Sequence, residues 1–161
     1  MISEKLQKEI NDQIQREIWS AQLYISMAFY FEREGFDGFA NWMKKQSDEE
    51  KEHAYTMASY LIKRGGTPRF EAIAAVPNEW KCPLDVFEKV YAHECSVSKN
   101  IDNLLDIAIA ENDKATQDFF WQFVREQVEE EATASGILDR IRKMGDTAIF
   151  GLDQQYGQRS K

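Results

Sequence analysis

The sequence predicts an all-α protein built as a four-helix bundle, and three observations support this fold class. Apolar residues recur every three or four positions through four long stretches of the chain. Only three prolines, at positions 68, 77 and 83, interrupt it. The glycines gather near positions 35, 65 and 145, where helices would end. A chain of 161 residues with this pattern is expected to form a single domain over residues 1–161.

The first half of the chain predicts a helical hairpin. Its first helix runs from about Ser3 to Glu34, and its second helix runs from about Asp37 to Arg64. The turn at Gly35 between them is short, so the two helices are expected to lie antiparallel.

The second half predicts a similar hairpin and a short final helix. The third helix begins at Pro83, a favoured residue in a first turn, and ends near Ala110. Asp113 can cap a fourth helix, which ends near Met144 with Gly145 as its C-terminal stop. A segment from Thr147 to Tyr156 predicts a brief fifth helix.

The connection between the hairpins, Gly65 to Cys82, is long enough to run the whole length of the bundle. A helix of thirty residues is about 45 Å long, and an extended chain covers about 3.3 Å per residue. The second and third helices are therefore expected to lie parallel. The connection also contains Phe70, Ile73, Val76 and Trp80, which indicates a crossover that packs along the outside of the bundle.

Charge and composition exclude several classes of partner and location. The formal net charge of -8 disfavours non-specific binding to nucleic acid or anionic lipid, and it favours cations. The charged N-terminus is unlike a signal peptide, and no stretch is apolar enough to cross a membrane. The two cysteines, Cys82 and Cys95, form no CxxC motif, which is typical of a protein of the reducing cytoplasm.

One spacing of polar residues occurs twice along these helices. Glu17 is followed thirty-three residues later by Glu50 and three residues further on by His53. The same intervals separate Glu94, Gln127 and Glu130. Each residue lies within an apolar helical row, and antiparallel pairing brings the members of each hairpin level. Packing the hairpins face to face would place all six side chains in one layer at mid-bundle.

Such a layer needs a source of positive charge. Burying an unpaired carboxylate is strongly unfavourable, and four of them would balance two divalent cations. Carboxylates with an imidazole favour iron or manganese over structural zinc or calcium. The repeat therefore predicts a dinuclear metal site. The other histidine, His93, points away from the row of its neighbour Glu94 and is expected to be exposed or at the rim.

At these residues the sequence resembles the ferritin family, in particular its bacterial haem-free members. The resemblance covers essentially the whole chain, including the run DEEKEH at 48–53, the run REQVEEE at 125–131, the crossover and the short last helix. It implies a ferritin-like bundle with a long crossover between the second and third helices. It also implies that Glu17, Glu50 and His53 bind the first iron, and that Glu94 and Glu130 bind the second.

The resemblance assigns further residues around this centre. Gln127 becomes a hydrogen-bonding member of the metal site, and Tyr24 becomes either an electron donor beside it or a plain core aromatic. A third iron site is implied at three further acids, with Glu130 shared. These acids are Glu49, Glu126 and Glu129, which by position alone could simply be solvated, although the match to the family's motif favours the site. No haem is expected, since Glu52 precedes His53 where haem-binding relatives carry methionine.

The function implied by the resemblance is iron storage with ferroxidase activity. Iron(II) would be oxidised by dioxygen or hydrogen peroxide, and ferric mineral would collect inside a homo-oligomeric shell of about 24 subunits. Trp80, Phe150 and Leu152 are expected to be exposed and to serve the contacts of this shell. Two alternatives remain open. One is a di-iron oxygenase or peroxidase that stores nothing, and the other is a bundle whose polar layer only sets packing register.

Overall fold

The computed structural model describes residues 1–159 and shows an all-α bundle. Its elements are α1 (Glu4–Arg33), α2 (Asp37–Lys63), α3 (Pro83–Ala110), α4 (Lys114–Met144), a 3₁₀ turn (Asp146–Ala148) and α5 (Ile149–Gly157). Helix α1 packs against α2, α3 packs against α4, and α5 packs against α2. The predicted four-helix bundle with a short fifth helix is confirmed, and the helix ends lie within two residues of those expected.

Side-chain caps begin two of the long helices. Ser3 Oγ accepts the backbone N–H of Leu6 at 3.1 Å, and Asp113 Oδ1 accepts that of Thr116 at 2.9 Å. Helix α2 has no such cap beside it in sequence. Its Phe39 N–H is instead accepted by Asp153 Oδ1 of α5, at 2.7 Å. Helix α5 therefore supplies the hydrogen-bond acceptor that caps the first turn of α2.

Glycines let α5 approach α2 closely. A Cβ added at Gly38 would lie 1.8 Å from the backbone oxygen of Asp153, and one added at Gly157 would lie 2.7 Å from Gly38 Cα. Close backbone contact therefore fixes the position of α5. Leu152 of this helix is buried, so the expectation that it is exposed for shell contacts is wrong, whereas Phe150 is 62 % exposed.

Three amide side chains spaced four residues apart on α1 hold the start of the crossover. They form hydrogen bonds with the backbone of every second residue in an extended segment. The bonds join Gln7 to Thr67, Asn11 to Thr67 and Arg69, and Gln15 to Arg69 and Glu71. The N–H and C=O groups of Thr67 and Arg69 and the N–H of Glu71 thus have side-chain partners.

The rest of the crossover follows α1 towards its C-terminal end. Ser26 Oγ donates to the carbonyl of Pro77 at 2.6 Å, and Arg33 forms an ion pair with Glu79 at 3.0 Å. The connection therefore begins near the start of α1 and finishes near its end. Helix α3 consequently starts at the same end of the bundle as α2, and the two helices run parallel as expected.

The apolar core is divided into two clusters. One contains Phe31, Phe39 and Phe87 and extends beneath α5. The other contains Ile14, Met57, Ile101, Phe120 and Phe123, among other residues. Polar side chains lie along the same helices between the two clusters. No helix among residues 1–159 is both long and apolar enough to cross a membrane.

Candidate metal centre

The six residues of the repeated spacing lie in this polar layer. Glu17, Glu50, Glu94 and Gln127 are buried, while His53 and Glu130 are half-buried. The helical hairpins thus bring the two copies of the spacing to the same level of the bundle. The first copy forms a compact cluster, whereas the residues of the second are bonded to other side chains.

Glu17, Glu50 and His53 form the compact cluster. Each offers one ligand atom, and these three atoms lie within 4.8 Å of one another. Nδ1 of His53 is 3.8 Å from Oε2 of Glu17 and 3.8 Å from Oε2 of Glu50. These two carboxylate oxygens are buried without any hydrogen-bond partner. Buried oxygens seldom lack partners, so the three atoms fit a bound cation that would supply the missing contacts.

The electrostatics of the cluster show how it tolerates burial. Burial raises the pKa of Glu50 well above its usual range, and the charge of Glu17 raises it further. Burial also opposes ionisation of Glu17, but its contacts with Glu50 and His53 outweigh that effect and lower its pKa. The two carboxylates therefore differ, with the proton favoured on Glu50. A metal ion that binds here must displace this proton.

The surrounding carboxylates favour the protonated form of His53, so a metal ion that binds at Nδ1 must displace a proton there as well. Burial would lower the pKa of its imidazole, but contacts with Glu126, Glu17 and Glu50 raise it far above its ordinary value. Nε2 of His53 lies 3.0 Å from Oε2 of Glu126. This contact directs the opposite nitrogen, Nδ1, towards the carboxylates of Glu17 and Glu50. A carboxylate on the outer nitrogen is a common way of orienting a metal-binding histidine.

Glu94 belongs to the second copy and is fully buried. It accepts hydrogen bonds from the hydroxyl of Tyr24 and from Gln127 Nε2, the latter at 3.1 Å. Burial raises the pKa of Glu94 to about 7, although these bonds act against the rise. Burial likewise raises the pKa of Tyr24, and the charge of Glu94 adds to the effect. Tyr24 and Gln127, which were expected beside the metal centre, therefore both contact the carboxylate of Glu94.

Glu130, the other acid of the second copy, faces Gln46 of α2. Gln46 Nε2 donates to Glu130 Oε2 at 3.0 Å, and burial raises the pKa of Glu130. Neither Glu94 nor Glu130 belongs to the compact cluster of Glu17, Glu50 and His53. Gln46 has no role among the residues predicted for the site, although its position in the apolar row of α2 is a signal that could have identified it.

The three acids expected at a third site have different surroundings. Glu126 contacts His53, as described above, and Glu129 is exposed. Glu49 forms an ion pair with Arg159, whose Nη2 lies 2.8 Å from Glu49 Oε1. Sequence reasoning missed Arg159, which follows α5 and approaches the centre only through the packing of α5 on α2.

His93, expected to be exposed or at the rim, is half-buried beside the centre and lies outside the compact cluster. Its Nε2 is 2.8 Å from Ser20 Oγ, and its ring lies 5.9 Å from the ring of Tyr24 and 5.7 Å from that of Trp19, measured between centroids. Burial lowers the pKa of His93 to about 4, so the imidazole is neutral at pH 7. Its apolar neighbours were not evident from its position next to Glu94.

Comparison with known proteins places this chain in a family. The family described as "Ferritin-like domain" matches residues 7–144. A bacterial non-heme ferritin from Bacteroides fragilis (strain 638R) is 65 % identical over 159 residues, covering 99 % of this chain and 100 % of the relative. Another from Staphylococcus aureus (strain MRSA252) is 32 % identical over 162 residues, covering 99 % and 98 %.

The solved structures agree with the sequence relatives. A crystal structure of an open pore ferritin from the archaeon Archaeoglobus fulgidus superposes with a TM-score of 0.97 and 44 % sequence identity, and the match covers 99 % of this chain and 100 % of that one. Family match, full-length relatives and superposition therefore agree, and the chain belongs to the ferritin family.

Proposed function

We propose that this chain is an iron-storage subunit that oxidises iron(II) at a dinuclear centre and deposits ferric mineral inside a protein shell. The observation that carries the proposal is the pair of buried, unpartnered oxygens of Glu17 and Glu50 facing Nδ1 of His53. A structural polar layer would be expected to satisfy its own buried atoms. Membership of the ferritin family supports iron as the metal.

In this proposal the first iron is held by Glu17, Glu50 and His53, and Glu50 can bridge to the second. The second iron is held by Glu94 and Glu130. Its binding requires Glu94 to turn from Tyr24 and Gln127, and Glu130 to turn from Gln46. Each of these bonds has a neutral donor, so exchanging it for a metal contact leaves no buried charge unpaired.

The chemistry needs two electrons at one place, and the centre supplies proximity. Two iron(II) ions give one electron each to dioxygen, which takes two protons and leaves as hydrogen peroxide. If hydrogen peroxide is the oxidant, it takes two electrons and two protons and leaves as two waters. The carboxylates position both metal ions and neutralise their charge, so that oxidation avoids separate encounters in solution. Tyr24 donates a hydrogen bond to Glu94. As an electron donor it would replace one iron(II) in reducing the oxidant, its phenolic proton would pass to Glu94, and a later iron(II) would return the electron.

A third iron would be held by Glu49, Glu126 and Glu129, with Glu130 shared. Their positions beside the dinuclear centre support this assignment, since Glu126 contacts His53 and Glu130 reaches the polar layer. The metal would replace His53 as the partner of Glu126. The proposal includes no haem, because Glu52 lacks the sulfur that an axial methionine supplies.

Storage also requires an enclosed volume, which one bundle does not provide. We therefore include in the proposal a closed homo-oligomer of about 24 identical subunits, each a single domain. The net charge of -8 suits a protein whose cargo is cationic and whose partners do not include nucleic acid. A cytoplasmic location fits the two unpaired cysteines.

Iron retention after oxidation tests the function. Metal-free protein is loaded anaerobically with excess iron(II), oxygen is admitted, and iron per subunit is measured after gel filtration. Retention far above the number of binding sites, in a particle much larger than one subunit, is expected. A small particle that retains about two irons per subunit would favour the di-iron oxygenase alternative. Failure to bind iron would favour a purely structural polar layer.

A pair of variants distinguishes the loss of a proposed metal ligand from the loss of a surface charge. Glu130→Ala removes a proposed ligand of the second iron and is expected to abolish rapid oxidation. Asp106→Ala removes an exposed acid on α3 and is expected to oxidise iron at the normal rate. Equal rates in the two variants would contradict the assignment of Glu130.

A further inference from the structure

Arg159 lies beside the proposed third iron site because α5 and the residues after it are tied to α2. Asn41 Nδ2 of α2 donates to the carbonyl of Gly157 at 3.1 Å and to that of Arg159 at 3.4 Å. The guanidinium lies over the ring of Trp42, 5.0 Å from its centroid. Backbone bonds and an aromatic face thus hold this arginine in place.

The guanidinium is bonded to the polar layer through two of its nitrogens. Nη2 donates to Glu49 Oε1 at 2.8 Å, and Nη1 donates to Gln46 Oε1 at 2.6 Å. The amide nitrogen of Gln46 donates in turn to Glu130 at 3.0 Å. One arginine therefore contacts Glu49 directly and is linked to Glu130 through Gln46. Both acids belong to the proposed third iron site.

We propose that Arg159 competes with metal ions for the third site and delays its filling until the dinuclear centre is loaded. This inference rests on the proposed function, because it requires the acids around Glu49 to bind a metal. A metal ion that binds Oε1 of Glu49 would displace the guanidinium, and one that binds Oε2 would lie close enough to it for the two positive charges to repel. In either arrangement Arg159 opposes filling of the third site.

The environment of the ion pair makes this competition effective. The side chain of Arg159 is only 17 % exposed and that of Glu49 is 35 % exposed. Charge-assisted bonds at this level of exposure are stronger than those of fully exposed pairs. A groove of about 440 Å³, lined by residues that include Trp42, Glu130, Thr133 and Tyr156, adjoins the guanidinium and offers space for its release.

The expected consequence is a reduced apparent affinity at one site only. If Arg159 leaves Glu49 for about one tenth of the time, the apparent dissociation constant of the third site rises about tenfold. Oε2 of Glu17 and Oε2 of Glu50 have no hydrogen-bond partner, so no arginine has to leave them before a metal ion binds. Iron would therefore fill the oxidation centre first and reach the third site at higher iron concentration.

Calorimetric titration of the metal-free full chain with zinc(II), a redox-inactive probe, tests the inference. Wild-type protein is expected to bind zinc(II) at the dinuclear centre and more weakly at the third site. Arg159→Gln should tighten the weak site by about tenfold and leave the other affinities unchanged. Arg159→Lys should tighten it less, since an ammonium keeps the charge but not the paired geometry. Arg142→Gln, which removes the exposed partner of Glu88, is the matched control and should bind like wild type.

Two further variants separate competition from general charge. In a Glu49→Gln background, Arg159→Gln should have no further effect on the weak site, because the contested carboxylate is gone. Asn41→Ala keeps the arginine but removes the hydrogen bonds that hold its backbone to α2. This variant should therefore also raise the affinity of the weak site for zinc(II). This second variant also provides a test if Arg159→Gln does not assemble.

The possible results distinguish the role of Arg159 from the proposed function of the chain. An unchanged weak site in Arg159→Gln and Asn41→Ala overturns the role of Arg159 while the dinuclear binding of the wild type stands. If Arg159→Gln raises the affinity of the weak site equally with and without the Glu49 carboxylate, this role is also overturned. The effect would then come from long-range charge and not from competition for Glu49. Wild-type protein that binds no zinc(II) at the Glu17, Glu50 and His53 cluster would refute the proposed function itself.

Discussion

His53 is held between two sets of carboxylates by its contact with Glu126, whose Oε2 lies 3.0 Å from Nε2 of the imidazole. The other ring nitrogen, Nδ1, faces the unpartnered oxygens of Glu17 and Glu50 at 3.8 Å from each. Glu126 therefore affects the proposed dinuclear centre through His53, in addition to the third site at which its sequence position places it.

Replacing Glu126 by glutamine is expected to weaken metal binding at the first iron position by about 10–100-fold, because the imidazole loses the carboxylate that orients it. Anaerobic calorimetric titration with zinc(II) measures the affinity. Glu52→Gln, which removes an exposed acid of the same helix as His53, is the control. If Glu126→Gln binds at this position as tightly as the control, the positioning role of Glu126 is wrong.

Replacing Glu50 by glutamine is expected to stabilise the metal-free protein by about 1–3 kcal/mol and to abolish the stabilisation that metal gives. Burial and the charge of Glu17 disfavour the ionised form of Glu50, whereas an amide carries no charge. Thermal unfolding with and without zinc(II) measures both effects. A variant that is less stable than wild type without metal would show that Glu50 serves packing rather than binding.

Replacing Gly38 by alanine is expected to displace α5 and to lower the free energy of unfolding by about 1–3 kcal/mol. The new Cβ would lie 1.8 Å from the backbone oxygen of Asp153, which cannot move without moving α5. Thermal unfolding and limited proteolysis at the C-terminal end report the change. Gly151→Ala, within α5 but facing open space, should leave both measurements close to wild type.

The bond between Arg64 and Asp113 is expected to make stability depend on pH in the acid range. Their side chains form two parallel bonds, Nη1 to Oδ1 at 3.0 Å and Nη2 to Oδ2 at 2.9 Å, which lower the pKa of Asp113. A carboxyl with a lowered folded-state pKa stabilises above its unfolded value of about 4 and loses the effect as pH falls through the folded value.

Two substitutions at Asp113 isolate this contribution. Asp113→Asn keeps a capping residue and loses the ion pair, so it should cost about 0.5–1 kcal/mol at pH 7 and nothing well below the folded pKa. Asp113→Ala also loses the cap of α4 and should cost about 1 kcal/mol more. Chemical unfolding at pH 7 and in the acid range measures the differences. A deficit of Asp113→Asn that persists in acid would point to packing instead of charge.

The helices and the polar layer were predictable because their signals are local and periodic. Pro83, Asp113 and Gly145 mark helix ends in the sequence and do so in the structure. Glu17 and Glu50 are separated by the same number of residues as Glu94 and Gln127. This spacing is sufficient to place the two members of each pair at the same level of their hairpin.

The contacts of the layer were not predictable in the same way. The bond from Gln46 to Glu130 joins two helices that belong to different hairpins, and its geometry depends on their relative rotation. Arg159 reaches Glu49 only because α5 docks on α2. No regular spacing along the sequence indicates either contact, since each depends on how distant segments pack.

The ladder between α1 and the crossover restricts how this loop can change in length. A step of four helical residues rises about 6 Å, and two extended residues span about 6.6 Å, so Gln7, Asn11 and Gln15 match every second crossover residue. Insertion of one residue within this segment would turn the bonded backbone groups outward, whereas insertion of two would restore the match one step along. We therefore expect this part of the loop to tolerate changes in length only by even numbers of residues, as a β-strand does, because the side chains of a helix set the spacing.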